Sequence, residues 1–509
     1  MSGVASVILG SNEWRVPFDG ETSLWDLLAQ TGAPFPAPCG GNRICGKCRV
    51  FCTGSLTPMG AEEEAFLLQG ERSAGVRLAC FARAVGNVCI YPLWTGGENL
   101  SAVLPPHGLT EQGWGAAVDV GTTTIAIRLY HLENGSLRGE ILQPNRQARF
   151  GADVLSRVDF ARQNGPELLE DILHAQVENM AALCMEQAGI RKLDRVVLTG
   201  NTAMLHFWER LPTEGDGENF VPQALFGGES RYSLGGAPVY LPPCLGAYIG
   251  ADALCAALAA GLPGLPGETA LLVDLGTNGE IILSCSGQMI CASTGMGPAF
   301  EGAGLAFGMP AGPGAVSAVW QTAEGDTGIQ VMANCVPAGV CGSGILDAVR
   351  MMLERGVLDE SGLLCGNEAG VVLQEGELAW ELPGASVWVT QEDVRQVQLA
   401  KSALRAGIDT LLQTAGLPPE AVDRFCIAGG FGHSMNLTSA VKVGLFPQAL
   451  AKRAAVMGNG ALAGAAALLL DREAWKALEV IRARGKEMPL SGNQVFARRY
   501  AENLLFAAF

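Results

Sequence analysis

Three cysteines lie close together near the start of the chain, in the glycine-rich stretch CGGNRICGKC. They are Cys39, Cys45 and Cys48, with the spacing C-x5-C-x2-C, and the next suitably placed cysteine is Cys80 in RLACFARAV. Three thiolates in a tight loop with a distant fourth resemble the ligand pattern of a plant-type [2Fe–2S] site, although the first gap is one residue longer. The four cysteines therefore predict an iron–sulfur centre.

Two alternatives exist for this cysteine cluster. A structural zinc site also uses C-x2-C, but such sites commonly pair two C-x2-C units, and Cys80 has no such neighbour. Cys52 is close enough to Cys48 to be a weaker alternative ligand, whereas Cys89 lies in a strand pattern and is predicted to be a core residue. The spacing favours the iron–sulfur cluster over zinc.

A second kind of chemistry is indicated by the polar turns in VDVGTTTIAIRLY and VDLGTNGEIILS. Each turn places a carboxylate, Asp119 or Asp274, at a strand end and follows it with glycine and threonine. Backbone N–H groups and hydroxyls in such a turn can hold phosphates without a lysine. We expect the two carboxylates to face each other across a cleft and to hold Mg²⁺ through water.

The same motifs occur twice in the same order. DRVVLTGN and DRFCIAGG form a second matching pair, and GADALCAA and GNGALAGA form a third. This repetition predicts two copies of one α/β unit, with an insertion in the second copy. Gly429 and Gly430 follow the buried strand of the second copy and predict a flat backbone surface for a base and ribose.

The elements around these motifs predict a multidomain protein with α/β and α+β parts. ASVILG and EWRVPFD predict strands, TSLWDLLAQTG predicts a helix, and CRVFCTG and NVCIYPL predict strands on either side of Cys80. We expect a small β-grasp domain at 1–93, a linker at 94–113, a first lobe at 114–262 and a second lobe at 263–509. Each lobe should be a mixed sheet flanked by helices.

Composition excludes several classes of function. The 509 residues carry a formal charge of −17 without a basic block, so no nucleic-acid partner is expected. The start of the chain lacks the features of a secretion signal, and the longest apolar run, ALAGAAALLL, is too short to cross a bilayer. Fifteen cysteines without such a signal favour a reducing, cytoplasmic setting.

The DVGTTT, DLGTNGE and IAGGFG motifs resemble the phosphate-1, phosphate-2 and adenosine motifs of the superfamily of actin, sugar kinases and heat-shock chaperone ATPases. With the cysteine-rich domain ahead of them, nearly the whole chain resembles the reductive activators of corrinoid proteins. The resemblance implies an N-terminal β-grasp [2Fe–2S] ferredoxin domain followed by a duplicated actin-like, ribonuclease H-like ATPase of two lobes. It also implies ATP-dependent transfer of one electron from the cluster to cobalt(II), which regenerates cobalt(I) for methyl transfer.

The resemblance assigns roles to particular residues. The cluster ligands are Cys39, Cys45, Cys48 and Cys80. The catalytic carboxylates are Asp119 and Asp274. The nucleotide-binding residues are Gly121, Thr122, Thr123, Thr124, Gly276, Thr277, Asn278, Gly429 and Gly430. The implied cofactors are a [2Fe–2S] cluster, ATP and Mg²⁺. The implied partners are a corrinoid protein and an electron donor such as a reductase or ferredoxin, and a homodimer is implied as well.

Three other functions fit parts of the sequence. One is an activator of another low-potential enzyme, such as a 2-hydroxyacyl-CoA dehydratase, and another is a redox-sensing ATP-binding module. The third, a small-molecule kinase, needs a general base that the sequence does not identify, although Glu280 and Glu301 lie in motif-like segments. No histidine has the D-x-H-x-x-G pattern of a cobalt ligand, and His433 is expected to be a loop residue. The glycine-rich segment 293–316 predicts a loop.

Overall fold

The computed structural model describes most of the chain. The described residues are 2–9, 12–31, 43, 48–64, 66–67, 72, 76–92, 112–151, 153–216, 219–322, 325–332, 336–366, 370–374 and 376–506. The predicted ligands Cys39 and Cys45 and nearly all of the predicted linker lie outside this part.

The N-terminal sheet has the strand order β2-β1-β6-β4-β5, with β3 paired to β6. Its elements are β1 (Ser2–Leu9), β2 (Asn12–Asp19), β3 (Thr22–Ser23), α1 (Leu24–Thr31), β4 (Arg49–Leu56), α2 (Ala61–Glu64), β5 (Val76–Leu78) and β6 (Arg83–Pro92). Helix α1 buries Leu24, Leu27 and Leu28 in the same core as Val7 and Ile90. The predicted strands and helix around the cysteines are confirmed.

Lobe I is a six-stranded mixed sheet with the order β13-β14-β10-β7-β8-β9. Its strands are β7 (Trp114–Val120), β8 (Thr124–His131), β9 (Leu137–Pro144), β10 (Arg195–Gly200), β13 (Gly228–Leu234) and β14 (Ala237–Leu241), and β11 (Glu214–Asp216) and β12 (Asn219–Val221) form a separate hairpin. Its helices are α3 (Val154–Asn164), α4 (Glu167–Ala188), α5 (Thr202–Glu209) and α6 (Ala251–Ala259). Residues 115–120 of β7 are all buried, as expected for a central strand.

Lobe II contains a second six-stranded sheet, with the order β25-β24-β15-β16-β17-β26. Its strands are β15 (Ala270–Leu275), β16 (Asn278–Cys285), β17 (Gln288–Gly295), β24 (Arg424–Ala428), β25 (Ala454–Gly458) and β26 (Gly485–Glu487). Its helices are α7 (Gly342–Glu354), α8 (Gln391–Thr414), α9 (Gly430–Ser434), α10 (Leu437–Val443), α11 (Gly460–Leu470), α12 (Arg472–Arg484) and α13 (Gln494–Glu502). Thr390 and Asp393 form a capping box that fixes the start of α8.

The two lobes share one topology. In each, three strands form an antiparallel meander whose first strand pairs in parallel with a later strand: β7 with β10, and β15 with β24. A further parallel strand then follows, β14 in lobe I and β25 in lobe II. The predicted duplication is therefore confirmed.

The predicted insertion in the second copy consists of two small sheets. The first contains β18 (Ala315–Gln321), β19 (Thr327–Val331) and β20 (Gly339–Val340), and the second contains β21 (Val371–Gln374), β22 (Glu377–Leu382) and β23 (Val387–Thr390). The glycine-rich segment before them is mainly a loop between β17 and β18, as predicted, and contains a short 3₁₀ helix, Ala299–Glu301.

One hydrophobic core connects the two lobes. It combines Ala117 and Val197 of lobe I with Leu272 and Cys426 of lobe II, and it includes most of α6 and α11. These two helices come from the third repeated motif and pack so closely that a Cβ on Gly464 would lie 1.9 Å from the carbonyl oxygen of Cys255. Within the described ranges, no helix is long and apolar enough to cross a membrane.

Candidate functional site

Cys48 and Cys80 are brought together by the pairing of β4 with β5. Arg49 is opposite Leu78, and the N–H of Ala79 donates to the carbonyl oxygen of Cys48 at 2.8 Å. The two Sγ atoms are 3.1 Å apart, and the N–H of Cys80 donates to Sγ of Cys48 at 3.5 Å. Both thiols are buried. Converging thiols with an N–H···S hydrogen bond fit one side of an iron–sulfur cluster.

Two further cysteines of this domain, Cys52 and Cys89, are described by the structure. Cys52 is buried in the domain core, and burial raises the pKa of its thiol to about 12, which opposes formation of a thiolate ligand. Cys89 is only half-buried, because its neighbours Val88 and Ile90 point into the core and side chains alternate along a strand. The predicted core position of Cys89 is therefore wrong.

Glu63 accepts hydrogen bonds from β5, the strand that leads to Cys80. Its carboxylate accepts hydrogen bonds from Nε of Arg77 at 2.9 Å, from Nη2 of Arg77 at 2.8 Å and from the N–H of Leu78 at 2.8 Å. Both ionic side chains are buried. A buried, fully hydrogen-bonded ion pair of this kind fixes the local geometry, because removal of one partner would leave the other charge unpaired.

Each of the two predicted phosphate turns is closed by a backbone hydrogen bond, and loop 2 is one residue shorter than loop 1. In loop 1 (residues 121–124) the N–H of Gly121 donates to the carbonyl oxygen of Thr124 at 3.0 Å. In loop 2 (residues 276–278) the N–H of Gly276 donates to the carbonyl oxygen of Asn278 at 3.0 Å. The predicted residues of each turn thus lie together, between β7 and β8 in loop 1 and between β15 and β16 in loop 2.

Loop 1 is supported by polar side chains of lobe I. Asn145 donates to the carbonyl oxygen of Gly121 at 2.9 Å, and Asn201 donates to the hydroxyl of Thr122 at 2.9 Å. The guanidinium of Arg157, which is fully buried, donates to the carbonyl oxygen of Thr122 at 2.5 Å. Burial lowers the pKa of Arg157 to about 10, so it stays charged at neutral pH and supplies positive charge beside the loop.

Loops 1 and 2 meet between the lobes. The hydroxyls of Thr123 and Thr277 are 3.1 Å apart, and both donate to the carboxylate of Glu301. Thr123 is 3.1 Å from each carboxylate oxygen, and Thr277 is 2.7 Å from Oε2. Burial raises the pKa of Glu301, while the two threonine hydrogen bonds lower it. The sequence did not predict this contact.

The carboxylates of Asp119 and Asp274 lie at the strand ends beside these loops. The pKa of each is raised to about 7, mainly by burial and in addition by the charge of Asp252. Asp119 accepts a hydrogen bond from Nδ2 of Asn459 at 2.8 Å, which lowers its pKa. Burial and the charges of Asp252 and Asp274 also raise the pKa of Glu280. The arrangement concentrates negative charge in a desolvated place, which favours binding of a cation.

The glycine turn predicted to hold the nucleoside lies directly beside loop 2. Gly429 has φ of 93°, and a Cβ on it would lie 2.3 Å from the carbonyl oxygen of Leu275. Gly430 begins helix α9 and has open space around the position of a Cβ. Phe431 stacks on Phe300 with ring centroids 4.7 Å apart. The backbone of His433 is helical, not a loop as expected, and its side chain is outside what the structure describes.

The comparisons with known proteins follow the same division of the chain. Family models match residues 8–85 as a 2Fe-2S iron-sulfur cluster binding domain, 114–264 as the RACo middle region, and 268–508 as the C-terminal domain of RACo, the ASKHA domain. The "Corrinoid activation enzyme RamQ" of Eubacterium limosum is 31% identical over 446 residues, which are 81% of this chain and 73% of that protein. The chain belongs to the RACo family of reductive activators of corrinoid proteins.

Two further relatives agree with membership in the RACo family. The "[Co(II) methylated amine-specific corrinoid protein] reductase" of Methanosarcina barkeri is 25% identical over 399 residues and covers 70% of each chain. A solved "Reductive activator for corrinoid,iron-sulfur protein" has the same fold, with a TM-score of 0.70, 24% identity, and coverage of 99% of this chain and 98% of that one. The predicted family and fold are confirmed, and membership favours corrinoid activation over the three alternatives.

Several site residues of this RACo-family chain were missed by the sequence analysis. Asp252 and Asn459 lie in the third repeated motif, which was used only to detect the duplication. Both copies of that motif begin a helix, α6 or α11, and this was the available signal, because helix N-termini commonly bind anionic groups. Arg157 and Asn201 had no such signal, since their role depends on tertiary contacts with loop 1.

Proposed function

We propose that this chain reduces the cobalt(II) of a corrinoid partner protein to cobalt(I), with ATP bound between the lobes driving the transfer. The main support for this proposal is that one chain contains both a ferredoxin-type domain and a two-lobed ATPase. Loops from the two lobes contact each other through Thr123 and Thr277. Relatives named for corrinoid activation and for Co(II) corrinoid protein reduction support the substrate class.

The need for ATP follows from the energetics of the electron transfer. Cobalt(II) in a corrinoid is reduced only at very low potential, so an electron from a ferredoxin-type centre moves uphill. A step of about 100 mV costs ~2.3 kcal/mol for one electron. ATP can supply this free energy if the lobes bind the partner or the nucleotide with different affinities in their open and closed states.

The electron carrier is proposed to be held by Cys39, Cys45, Cys48 and Cys80. A [2Fe–2S] cluster supplies a store for one electron. Cys48 and Cys80 support this assignment, because their thiols converge and are buried, and Cys80 donates its N–H to the other sulfur. Cys39 and Cys45 complete the set from the sequence pattern, and Arg43, between them, donates to the carbonyl oxygen of Cys80 at 3.0 Å.

The nucleotide is proposed to bind across loops 1 and 2 and the glycine turn. The residues are Gly121, Thr122, Thr123, Thr124, Gly276, Thr277, Asn278, Gly429 and Gly430. Threonine hydroxyls of both loops would donate to phosphate oxygens, and the open surface at Gly430 would receive the nucleoside. The proposal includes Mg²⁺ held through water by Asp119 and Asp274, because a cation offsets the cost of ionising two buried carboxylates.

The remaining partners are proposed from the sequence and the family. The corrinoid is carried by the partner protein, since no histidine of this chain has the pattern of a cobalt ligand. An electron donor such as a reductase or ferredoxin would refill the cluster, the chain would act as a homodimer, and its cysteine content suits the reducing cytoplasm.

The proposal is tested by anaerobic assay. Reconstituted protein is mixed with a one-electron reductant and a cobalt(II) corrinoid protein, and cobalt(I) absorbance is followed with and without Mg-ATP. We expect ATP-dependent cobalt(I) formation that is abolished by Cys48→Ser and by Asp119→Ala. Cys89→Ser is the matched control, because this half-buried thiol is not a proposed ligand. ATP hydrolysis without cobalt(I) formation, for every corrinoid partner tried, would contradict the proposal.

A further inference from the structure

Glu301 joins the two phosphate loops in the structure. It ends the short helix Ala299–Glu301, and its carboxylate accepts hydrogen bonds from Thr123 of loop 1 and Thr277 of loop 2. The two threonine hydroxyls are also within 3.1 Å of each other. One carboxylate therefore occupies the point where hydroxyls from both lobes converge. We call this group of three side chains the Glu301 bridge.

The Glu301 bridge uses the same donors that a phosphate would use. A carboxylate and a phosphate are both anions that accept hydrogen bonds from hydroxyls, and two anions cannot share one set of donors without repulsion. Arg157 is the cation whose charge acts on Glu301, and its guanidinium is fixed on the carbonyl oxygen of Thr122. The carboxylate thus takes the place that an incoming phosphate oxygen needs.

We propose that Glu301 is a built-in competitor of the ATP phosphates, which ties loops 1 and 2 together and is displaced when the nucleotide binds. This inference rests on the proposed ATP site and adds a specific residue to it. The competing carboxylate lowers the affinity of the lobes for nucleotide. It also means that the lobes close on ATP with hydrogen bonds other than those that Glu301 accepts from Thr123 and Thr277.

The surroundings of Glu301 connect this displacement to the rest of the nucleotide site. Phe300, the residue before it, stacks on Phe431 beside the glycine turn at an interplanar angle of 7°. The carbonyl of Phe300 also lies against Gly342 at the start of α7, where a Cβ would be 1.8 Å from it. A few residues later, the N–H of Ala306 donates to Asp393 at 2.7 Å. Glu301 therefore lies in a segment that is fixed by contacts of Phe300 on one side and Ala306 on the other, and its displacement would alter these contacts.

The sign of the effect distinguishes this role from an ordinary binding role. Removal of a residue that holds ATP weakens binding, whereas removal of a competitor strengthens it. Glu301→Ala removes the bridge, and Glu301→Gln keeps a hydrogen-bond acceptor but removes the charge. We expect both variants to bind nucleotide more tightly, by about tenfold for Glu301→Ala. Thr277→Val removes the bridge and a phosphate donor together, and we expect it to bind more weakly.

The test is titration calorimetry of the full-length protein with Mg²⁺ and the β,γ-imido analogue of ATP. Wild type, Glu301→Ala, Glu301→Gln and Thr277→Val are compared, with the exposed Glu360→Gln as the matched control. Circular dichroism checks that each variant is folded, and Glu301→Gln decides the matter if Glu301→Ala is not. Tighter binding by the Glu301 variants, with weaker binding by Thr277→Val, is the expected result.

Two other outcomes have separate meanings. Unchanged or weaker binding by both Glu301 variants, together with loss of binding in Thr277→Val, would overturn the competitor role and leave the proposed ATP site intact. Wild-type affinity in Thr277→Val would show that loop 2 does not hold the phosphates. In that case the proposed ATP site fails, and the role of Glu301 fails with it.

Discussion

Asp119 and Asp274 are carboxylates whose burial opposes their charge. The pKa of each is raised to about 7, mainly by burial and in addition by the negative charge of Asp252. Such groups are poorly suited to stabilising the empty protein and well suited to binding a cation, because the cation relieves the cost of their ionisation. We therefore expect Asp119 and Asp274 to be fully ionised when a cation is bound.

The first prediction concerns Asp119→Asn. The pKa of Asp119 is higher in the folded protein than in the unfolded chain, so its deprotonation favours the unfolded state. The free energy of unfolding therefore falls as the pH rises from about 4 to about 7. At pH 8 without Mg²⁺ we expect Asp119→Asn to be more stable than wild type by about 1–3 kcal/mol. At pH 5 the difference should be much smaller. Urea unfolding at both pH values measures it.

The same substitution should impair function while it increases stability. Asp119→Asn is expected to lose Mg-ATP binding, because the amide cannot hold a hydrated cation in place of the carboxylate. An Asp119→Asn protein less stable than wild type at pH 8 would show that Asp119 is ionised at little cost in the folded state.

The second prediction compares two adjacent glycines. Gly429→Ala requires a residue with φ of 93° and places a Cβ 2.3 Å from the carbonyl oxygen of Leu275, so we expect a loss of at least about 2 kcal/mol of stability. Gly430→Ala meets no atom within 4 Å and should keep wild-type stability. If the nucleoside lies over Gly430, this second variant still weakens ATP binding, by about fivefold or more. Thermal unfolding and nucleotide titration separate the two effects.

Equal loss of stability in the two glycine variants would contradict the geometry of the turn. Wild-type ATP affinity in a stable Gly430→Ala protein would instead show that the nucleoside does not lie over this surface.

At the scale of elements, the sequence predicted the repeated unit well because its signals are local. The turns of loops 1 and 2 depend on glycine and threonine at fixed offsets after a buried strand, and in each the glycine N–H donates the backbone hydrogen bond that closes the turn. Strands and helices on either side follow from hydrophobic periodicity. The pairing of Cys48 with Cys80 could likewise be predicted from the spacing of cysteines.

The contacts between lobes could not be predicted in the same way. Asn459 reaches Asp119 and Glu301 reaches Thr123 only after two separate sheets have packed together. The segment around Glu301 is rich in glycine, so its sequence carries little periodicity from which to infer a fixed position. Glu301 was noted for its motif-like surroundings, but its contacts are a product of the tertiary fold.

The third prediction concerns the helices α6 and α11, which pack against each other between the lobes. A Cβ at Gly464 would lie 1.9 Å from the carbonyl oxygen of Cys255, so Gly464→Ala must push the helices apart. We expect a loss of about 1–3 kcal/mol of stability from overpacking, together with slower ATP hydrolysis. The visible absorbance of the cluster should not change, because the N-terminal core is separate.

Ala463→Ser is the matched control for this helix contact, because Ala463 is adjacent but half-buried. Full ATPase activity in a folded Gly464→Ala protein would show that close packing of α6 on α11 is not needed for the action of the lobes.

At the scale of the whole molecule, the chain joins an electron carrier to an ATP-driven pair of lobes. The N-terminal sheet has its own hydrophobic core, and the two lobes share a core built from α6 and α11. The linker at 94–113 stays a prediction from the sequence. This organisation suits a protein in which one domain carries the electron and the others supply free energy, as expected for a RACo-family activator.

The most direct test of this account is a single-turnover measurement. The protein is reduced, freed of excess reductant, and mixed anaerobically with its cobalt(II) corrinoid partner, while absorbance follows both cobalt(I) and cluster reoxidation. We predict equal amounts of cobalt(I) formed and cluster reoxidised, with Mg-ATP only, and neither change in Thr277→Val. Equal cobalt(I) formation without nucleotide, or cobalt(I) formation without cluster reoxidation, would contradict the account.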